Sequence, residues 1–444
     1  MMRKLNLSLL TLVLLTASCS EAEVAKSSYW DMDVLPFIDS HVHGATIVEL
    51  PNGDFLSAWF QGSGERWSDD VAIMGARLDK TTKTWSESFL MADVPDFPDI
   101  NPVLFIDAEE RLWLVWYTVI ANQWSTSLLK YRISEDYLEA GAPTWDWQDV
   151  IHVKPGDESG NGIQLNDKFV KSVERQIEEI ANTLTDTSHI SLWYKWGDRM
   201  LSKARGEDFM TRGTLIDSVN GNKNQKMGYP YFRRMGWQTK NKAVIVDHKR
   251  IILPLYSDGF DFSIMAITDN GGKNWIFSEP LVGAGNIQPS IVFKSDGTML
   301  AYMRDNGPPP EKMQVAHSAD KGLSWSIVKD SDLPNPGSGA DFVTLENGHW
   351  LAAYNDGLHG NGRQSLAISI SINEGESWDF TRHVERETKG ENEATSFAYP
   401  SVIQAKDRSI HLVYSYQKPH ENGISQEKIK YAEFYEAWVM EGDH

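Results

Sequence analysis

The chain has 444 residues, of which 41% are hydrophobic and 23% charged, with 33 Gly and 18 Pro. That balance excludes a disordered, collagen-like or coiled-coil protein and leaves room for several domains or one large propeller or barrel. Lys and Arg number 42 against 62 Asp and Glu, and the resulting charge of −20 opposes contact with nucleic acid or an anionic membrane surface, while 17 Trp, 17 Phe and 15 Tyr suit aromatic-rich strands and sugar binding.

At the start of the chain, Met1 to Lys4 form a basic head and Leu5 to Leu15 an apolar run too short to span a bilayer. Leu15-Thr16-Ala17-Ser18-Cys19 follows, a small-residue site ending in the chain's single cysteine. This segment resembles a bacterial lipoprotein signal. The resemblance implies cleavage before Cys19, lipidation of its thiol, and a chain held at the cell envelope by its lipid anchor alone; an ordinary secretory signal is the alternative. One cysteine permits neither an internal disulfide nor a cysteine-based zinc site. Residues 1–19 are therefore expected to be a signal, 20–37 a leader, 38–438 the folded body and 439–444 a tail.

The body repeats. A short apolar strand, a turn of Asp, Asn, Gly or Lys, and a second aromatic-rich strand occur at Ile47–Leu50 with Phe55–Trp59, Val103–Ile106 with Leu112–Trp116, and Val244–Val246 with Ile251–Leu255. The unit returns at Ser290–Phe293 with Thr298–Tyr302, Phe342–Leu345 with Trp350–Tyr354, and Ser401–Gln404 with Ile410–Tyr414. Six hairpins, each followed by further alternating strand, predict an all-β fold of six four-stranded blades, a six-bladed β-propeller. Between the second and third hairpins an insertion at about 140–235 changes character: Phe169, Val170, Val173, Ile177, Ile180 and Leu184 recur at helical spacing over 167–184. A second helix is expected over 192–209, and the insertion either walls a mouth of the propeller or packs at its periphery. Ser318 to Trp325 fits the pattern S-x-D-x-G-x-T-W, with Thr268 to Trp275 and Ser371 to Trp378 as variants bearing Asn270 and Asn373, and Leu78 to Trp85 as a worn copy. Such turns are scaffold: Asp or Asn ties down backbone N–H groups and Gly permits positive φ.

In a propeller, residues just before each inner strand and just after its partner crowd one mouth. The entrances hold His41, His43, Asn101, Lys240, Asn241, Lys242, Gln288, Asp341 and Tyr399. The exits hold Gln61, Tyr117, Ser257, Asp258, Arg304, Asp305, Asn355, Asp356 and Tyr416. Ionisable groups converging at a concave mouth predict a site. No metal-ligand spacing occurs, so neither a metal nor another cofactor is expected.

The turn pattern, the hairpins and the strings around His43, Arg304, Arg363 and Ala398-Tyr399 resemble the sialidase superfamily, in its bacterial BNR-repeat branch, over roughly 38–438. The resemblance implies Arg304 and Arg363 as substrate-carboxylate ligands, Tyr399 as nucleophile, and Asp70 or its neighbour Asp69 as acid/base. His43-Gly44-Ala45 stands where that family carries its first arginine, and Gln288 where it carries the glutamate that activates tyrosine. Gln cannot accept a proton, so His43 or His41 becomes the expected base. Three readings follow. The first is an exo-acting glycoside hydrolase on an acidic glycan, with Arg304, Arg363 and Lys240 gripping the anion and Gln288, Asn241, Asp305 and His41 completing the site. The second is a lyase eliminating across uronic acids with His43 and Tyr399, and the third a non-catalytic glycan-binding propeller. The partner in each case is an acidic oligosaccharide or polysaccharide, taken by a monomer.

Overall fold

The computed structural model describes residues 28–157, 162–163, 166–207, 231–357, 362–387, 395–419 and 426–443; Cys19 and the signal lie outside the described residues. Six antiparallel sheets surround an axis, each entered by its inner strand. The inner strands are His41–Glu49, Asp99–Ile106, Val244–Val246, Asn286–Phe293, Asp341–Thr344 and Ser396–Gln404, one for each of blades one to six. The six hairpins read from the sequence are the inner pairs of these blades, so the predicted β-propeller is the fold. Strands such as Leu112–Val119 are buried at every position, because a blade between two others has both faces covered.

The ends of the chain depart from expectation. Tyr29–Ile38, expected in the leader, is a strand that pairs antiparallel with Gln426–Phe434 as the outer edge of blade six. Tyr29 stacks on Trp438 at 4.7 Å between ring centroids, and Trp30 meets Tyr431 edge-on at 5.8 Å. The alternating large residues were short of a hairpin partner in sequence, since their partner lies about 400 residues away. The expected tail also belongs to the body: Val439 is buried in the short helix Glu436–Met440, and the Asp443 carboxylate accepts from the His383 backbone N–H at 2.9 Å.

The insertion starts later than expected, after Trp147–Val150 has completed blade two. Helix α1 spans Lys168–Ala181 and α2 spans Thr187–Ala204. Helix α2 starts five residues before its expected position because Asp186 caps it, accepting from Ser188 N at 2.7 Å and His189 N at 3.3 Å. The helices cross closely at Gly197, where a Cβ would lie 2.8 Å from Ile177. Asp167 caps α1 and forms a fully buried two-pronged pair with Arg233, at 2.8 and 2.9 Å. Gln176 fastens α1 to blade three, donating to Pro280 O at 2.7 Å and accepting from Val282 N at 3.1 Å. The helices thus pack at the periphery.

The turns at Thr268, Ser318 and Ser371 share one geometry. Asn270, Asp320 and Asn373 each accept backbone N–H bonds of 2.9–3.0 Å from the far side of the turn. Gly272 brings its turn against the neighbouring blade, where a Cβ would sit 2.6 Å from Trp113.

Candidate active site

Four of the six inner strands carry the same irregularity. Their pairing register slips between His43 and Thr46, Ile100 and Val103, Ile287 and Ser290, and Ala398 and Ser401. Each slip contains one residue at positive φ: Gly44 (65°), Asn101 (48°), Gln288 (55°) and Tyr399 (55°). Three of these are not glycine, so the bulge carries backbone strain at the places where it re-aims a side chain. The result is a cavity of 540 Å³ at one mouth, lined by Asn101, Gln288 and Tyr399 together with His43, Arg304 and Arg363.

At its centre, Tyr399 Oη accepts from Gln288 Nε2 at 2.9 Å and from Arg304 Nη1 at 3.2 Å. Two donors, one of them cationic, thus fix the position of the phenol oxygen. The His43 ring lies 4.3 Å from that of Tyr399, and the Arg363 guanidinium 5.7 Å from its centroid. Burial, then the charges of His41, Arg363, Lys240 and Arg304, hold His43 well below the usual imidazole range, so it stands as a neutral base. Among the described residues, neither Arg304 nor Arg363 forms an ion pair with a carboxylate. Arg304 Nη2 instead donates to Asn306 at 3.1 Å, its Nε is buried without a partner, and Arg363 donates to Gly337 O at 3.3 Å.

The same cavity is lined by Asp258, whose carboxyl burial pushes up to about 6, with the Arg304 charge opposing. A buried carboxyl that keeps its proton near neutrality is suited to give it away. Glu65, Asp261 and the phenols of Tyr117 and Tyr256 complete the polar wall, and Phe60 and Trp124 the apolar one. Asn101 Nδ2 donates to Tyr117 Oη at 3.1 Å, and Gln288 Nε2 reaches Tyr256 Oη at 3.4 Å.

Several expected site residues stand elsewhere. Lys240 does not line the cavity: it is buried behind Tyr399, its Nζ donating to Asn241 at 3.0 Å and to the Pro400 carbonyl. Asn241 in turn donates to the carbonyls of Gln288 and Pro289 at 3.0 and 3.1 Å. Together they pin the Tyr399 and Gln288 bulges from behind. Burial lowers Lys240 to about 7, with Asp341 opposing and Lys242 adding to the fall. His41 is no base. Burial disfavours its charge, but Glu427 at 2.9 Å and Glu65 at 3.4 Å raise it to about 9, leaving an imidazolium beside the cavity. Asp305 holds the loop after Arg304, accepting from Gly307 N at 2.8 Å and Lys312 N at 3.4 Å. Asp70 is exposed and faces Ser63, whose hydroxyl and backbone N–H donate to it at 2.7 and 3.1 Å and hold its carboxyl below the usual range; Asp69 is exposed as well.

Glu65 and Tyr256 went unread in the sequence, and Asp258 was read only as a rim residue. A signal existed for the bulges: Asn101-Pro102, Gln288-Pro289 and Tyr399-Pro400 repeat one dipeptide pattern at one blade position. Asp258 gave none, since its perturbation comes from burial by distant strands.

A family model described as a BNR repeat-like domain matches residues 53–162 and 187–412. No curated protein sequence matches. Among solved structures, a protein of unknown function from Dyadobacter fermentans aligns at 12% identity with a TM-score of 0.60, covering 91% of this chain and 98% of its own. The NanB sialidase of Streptococcus pneumoniae aligns at 12% identity and a TM-score of 0.55, covering 90% of this chain and 69% of its own. An α-L-arabinofuranosidase from Fusarium graminearum, solved with an iminosugar inhibitor, aligns at 12% identity and a TM-score of 0.55, covering 92% and 98%. At such identities these structures show a shared fold, one that glycoside hydrolases use. With its six blades and a family match across most of its length, the chain belongs to the BNR repeat-like family.

Proposed function

We propose that this protein is a glycoside hydrolase of sialidase type that removes an acidic sugar from the end of a glycan. The observation that carries the reading is the Tyr399 phenol oxygen, held by Gln288 and Arg304 in a cavity with two guanidiniums that no carboxylate among the described residues pairs. Arg304 and Arg363 grip the substrate anion as planar forks. Tyr399 Oη attacks the anomeric carbon while its proton passes to the neutral His43. The glycosidic C–O bond breaks, and the leaving oxygen takes the proton of Asp258, which we assign to this role in place of Asp70. Water then attacks the glycosyl–tyrosine, giving its proton to Asp258, and the phenolate recovers its own from His43.

The test is a panel of sialosides and uronic-acid oligosaccharides with product masses measured. Tyr399→Phe should abolish turnover. Truncating one partner of a desolvated charge pair costs on the order of 2–5 kcal/mol, so Arg304→Ala or Arg363→Ala should lower kcat/KM by about 30-fold or more with little change in Tm. Turnover that survives Tyr399→Phe would defeat the mechanism.

Gln288 in place of a carboxylate, beside a neutral His43, favours one second reading: elimination across a uronic acid, with His43 taking the proton next to the neutralised carboxylate and Tyr399 protonating the leaving oxygen. Only this reaction makes a conjugated double bond, visible as new ultraviolet absorbance. The proposal also places the enzyme at the cell envelope, tethered through lipid on Cys19. Cys19→Ser should release it from the membrane fraction, and unchanged fractionation would remove the anchor from the proposal.

A further inference from the structure

A second concave site lies outside the central cavity. Helices α1 and α2 lean against blade four and leave a groove of 370 Å³, with Trp196 and Leu192 on the helical side and Pro308 to Pro310 on the blade side. Leu192 lies 42% exposed on the wall of the groove. The indole of Trp196 is kept in place by the Arg199 guanidinium, 5.2 Å from the ring centroid. At the base of the groove sits Gln314, 8% exposed. Its Nε2 has weak partners, Ala284 O at 3.4 Å and Asp305 at 3.5 Å, but its Oε1 is buried with none. A buried acceptor without a donor costs free energy unless something fills the site.

The filling molecule must present hydroxyl donors to Gln314 and an apolar face to an indole. A pyranose or furanose ring does both, with C–H groups on its faces and hydroxyls at its edge. A purely apolar ligand would leave Gln314 unsatisfied.

Position supplies the second argument. Asn306 lines the central cavity and Pro308 lines the groove, so Gly307 alone, with at most about 7 Å of backbone, separates the two sites. The loop between them is the one that Asp305 clamps, and Gln314 touches the same Asp305.

We propose that this groove is a second saccharide site, which holds a sugar ring of a glycan chain beside the cavity where its end is processed. The inference rests on the carbohydrate reading of the central cavity, yet its binding is independent of catalysis. It gives the insertion a role: the helices bring a tryptophan to the flank of a blade, and binding there adds to the effective concentration of chain ends at the cavity.

The test is calorimetric titration of the full chain with xylohexaose, mannohexaose, arabinohexaose and a galacturonic acid hexasaccharide, each in a Tyr399→Phe background that cannot turn over. At least one should bind, with the interaction retained in Arg304→Ala, weakened tenfold or more by Trp196→Ala and by Gln314→Met, and recovered in large part by Trp196→Tyr. Circular dichroism and Tm establish that each variant is folded. Absence of binding by all four, or binding that survives Trp196→Ala, would overturn the groove proposal. Failure of the central-cavity reading looks different: turnover survives Tyr399→Phe while groove binding stays intact.

Discussion

Tyr399 gathers around itself a neutral imidazole, two guanidiniums and a carboxamide, and the chemistry of the site depends on which of these groups carry a proton. Under the proposed mechanism Asp258 sets the pH dependence. Its folded pKa of about 6 lies above its ordinary value, so the proton-donating form dominates below about 6 and activity should fall above it. Asp258→Asn should remove that alkaline limb with a loss of roughly 100-fold or more in kcat. Linkage supplies an independent check. A carboxyl raised on folding binds its proton more tightly in the native state, so stability falls as pH rises from about 4 to about 6. Asp258→Asn should therefore raise Tm at pH 7.5 and leave it nearly unchanged at pH 4, as read by calorimetry; a fall in Tm at pH 7.5 would contradict the assignment. His41 shifts stability in the same direction over a higher pH range. Its pKa is raised to about 9 by Glu427 and Glu65, so its pairing stabilises fully below the unfolded value near 6.5 and is lost as pH climbs through 9. His41→Gln should narrow the Tm difference between pH 6.5 and pH 9.5 relative to the unmodified chain.

At the scale of single elements, the bulge is the device that turns a strand into a site. Gly44 occupies it in blade one with φ of 65°, and a Cβ there would meet Asn101 Oδ1 at 2.6 Å and Phe60 at 2.9 Å. Gly44→Ala combines backbone strain with overpacking, each worth about 1–3 kcal/mol, and should lower stability by several kcal/mol in denaturant titration. Lys240 and Asn241 act on bulges without touching the cavity. Asn241→Ala frees the Gln288 and Pro289 carbonyls, so its expected signature is a fall in kcat larger than the change in KM, the mark of a positioning residue. The helical insertion is braced by a fully buried ion pair. Asp167→Ala removes the cap of α1 and the buried carboxylate that pairs with Arg233, at a cost of about 3–5 kcal/mol. Protease cutting between α1 and α2 should accelerate in this variant while blades remain protected.

Considered whole, the propeller is a ring closed between its two chain ends. Tyr29–Ile38 pairs with Gln426–Phe434, so the first described strand completes the last blade and leaves the ring without a free seam there. Deleting residues up to 38 would expose the backbone edge of blade six together with Tyr431 and Phe434, which are fully buried in the intact fold. That truncation should express as aggregate or unfold at markedly lower temperature. A truncation through residue 27 should behave as the full body does, and equal Tm values for the two would show that closure contributes nothing. The ring also explains why the site is made from so many blades: every inner strand reaches the axis, and residues as distant as His43 and Tyr399 become neighbours.

The blades, the hairpins and the α1 periodicity were legible because they repeat locally: apolar alternation of period two and helical spacing are written in consecutive residues. Arg304, His43, Gln288 and Tyr399 could be assigned to one mouth by counting strand ends and Arg363 only by the family resemblance, and the cavity gathers all five. What tertiary structure decided is everything set by long-range burial. Lys240 reads as a mouth cation gripping the anion but is buried behind Tyr399, and Asp70, an acid by family resemblance, is an exposed turn ligand of Ser63. Asp258 reads as a rim carboxylate but keeps its proton to about 6 because desolvation acts through space and not along the chain. The closing strand was hidden for the same reason: Tyr29–Ile38 finds its partner only at the far end of the chain, where no local pattern points back to it.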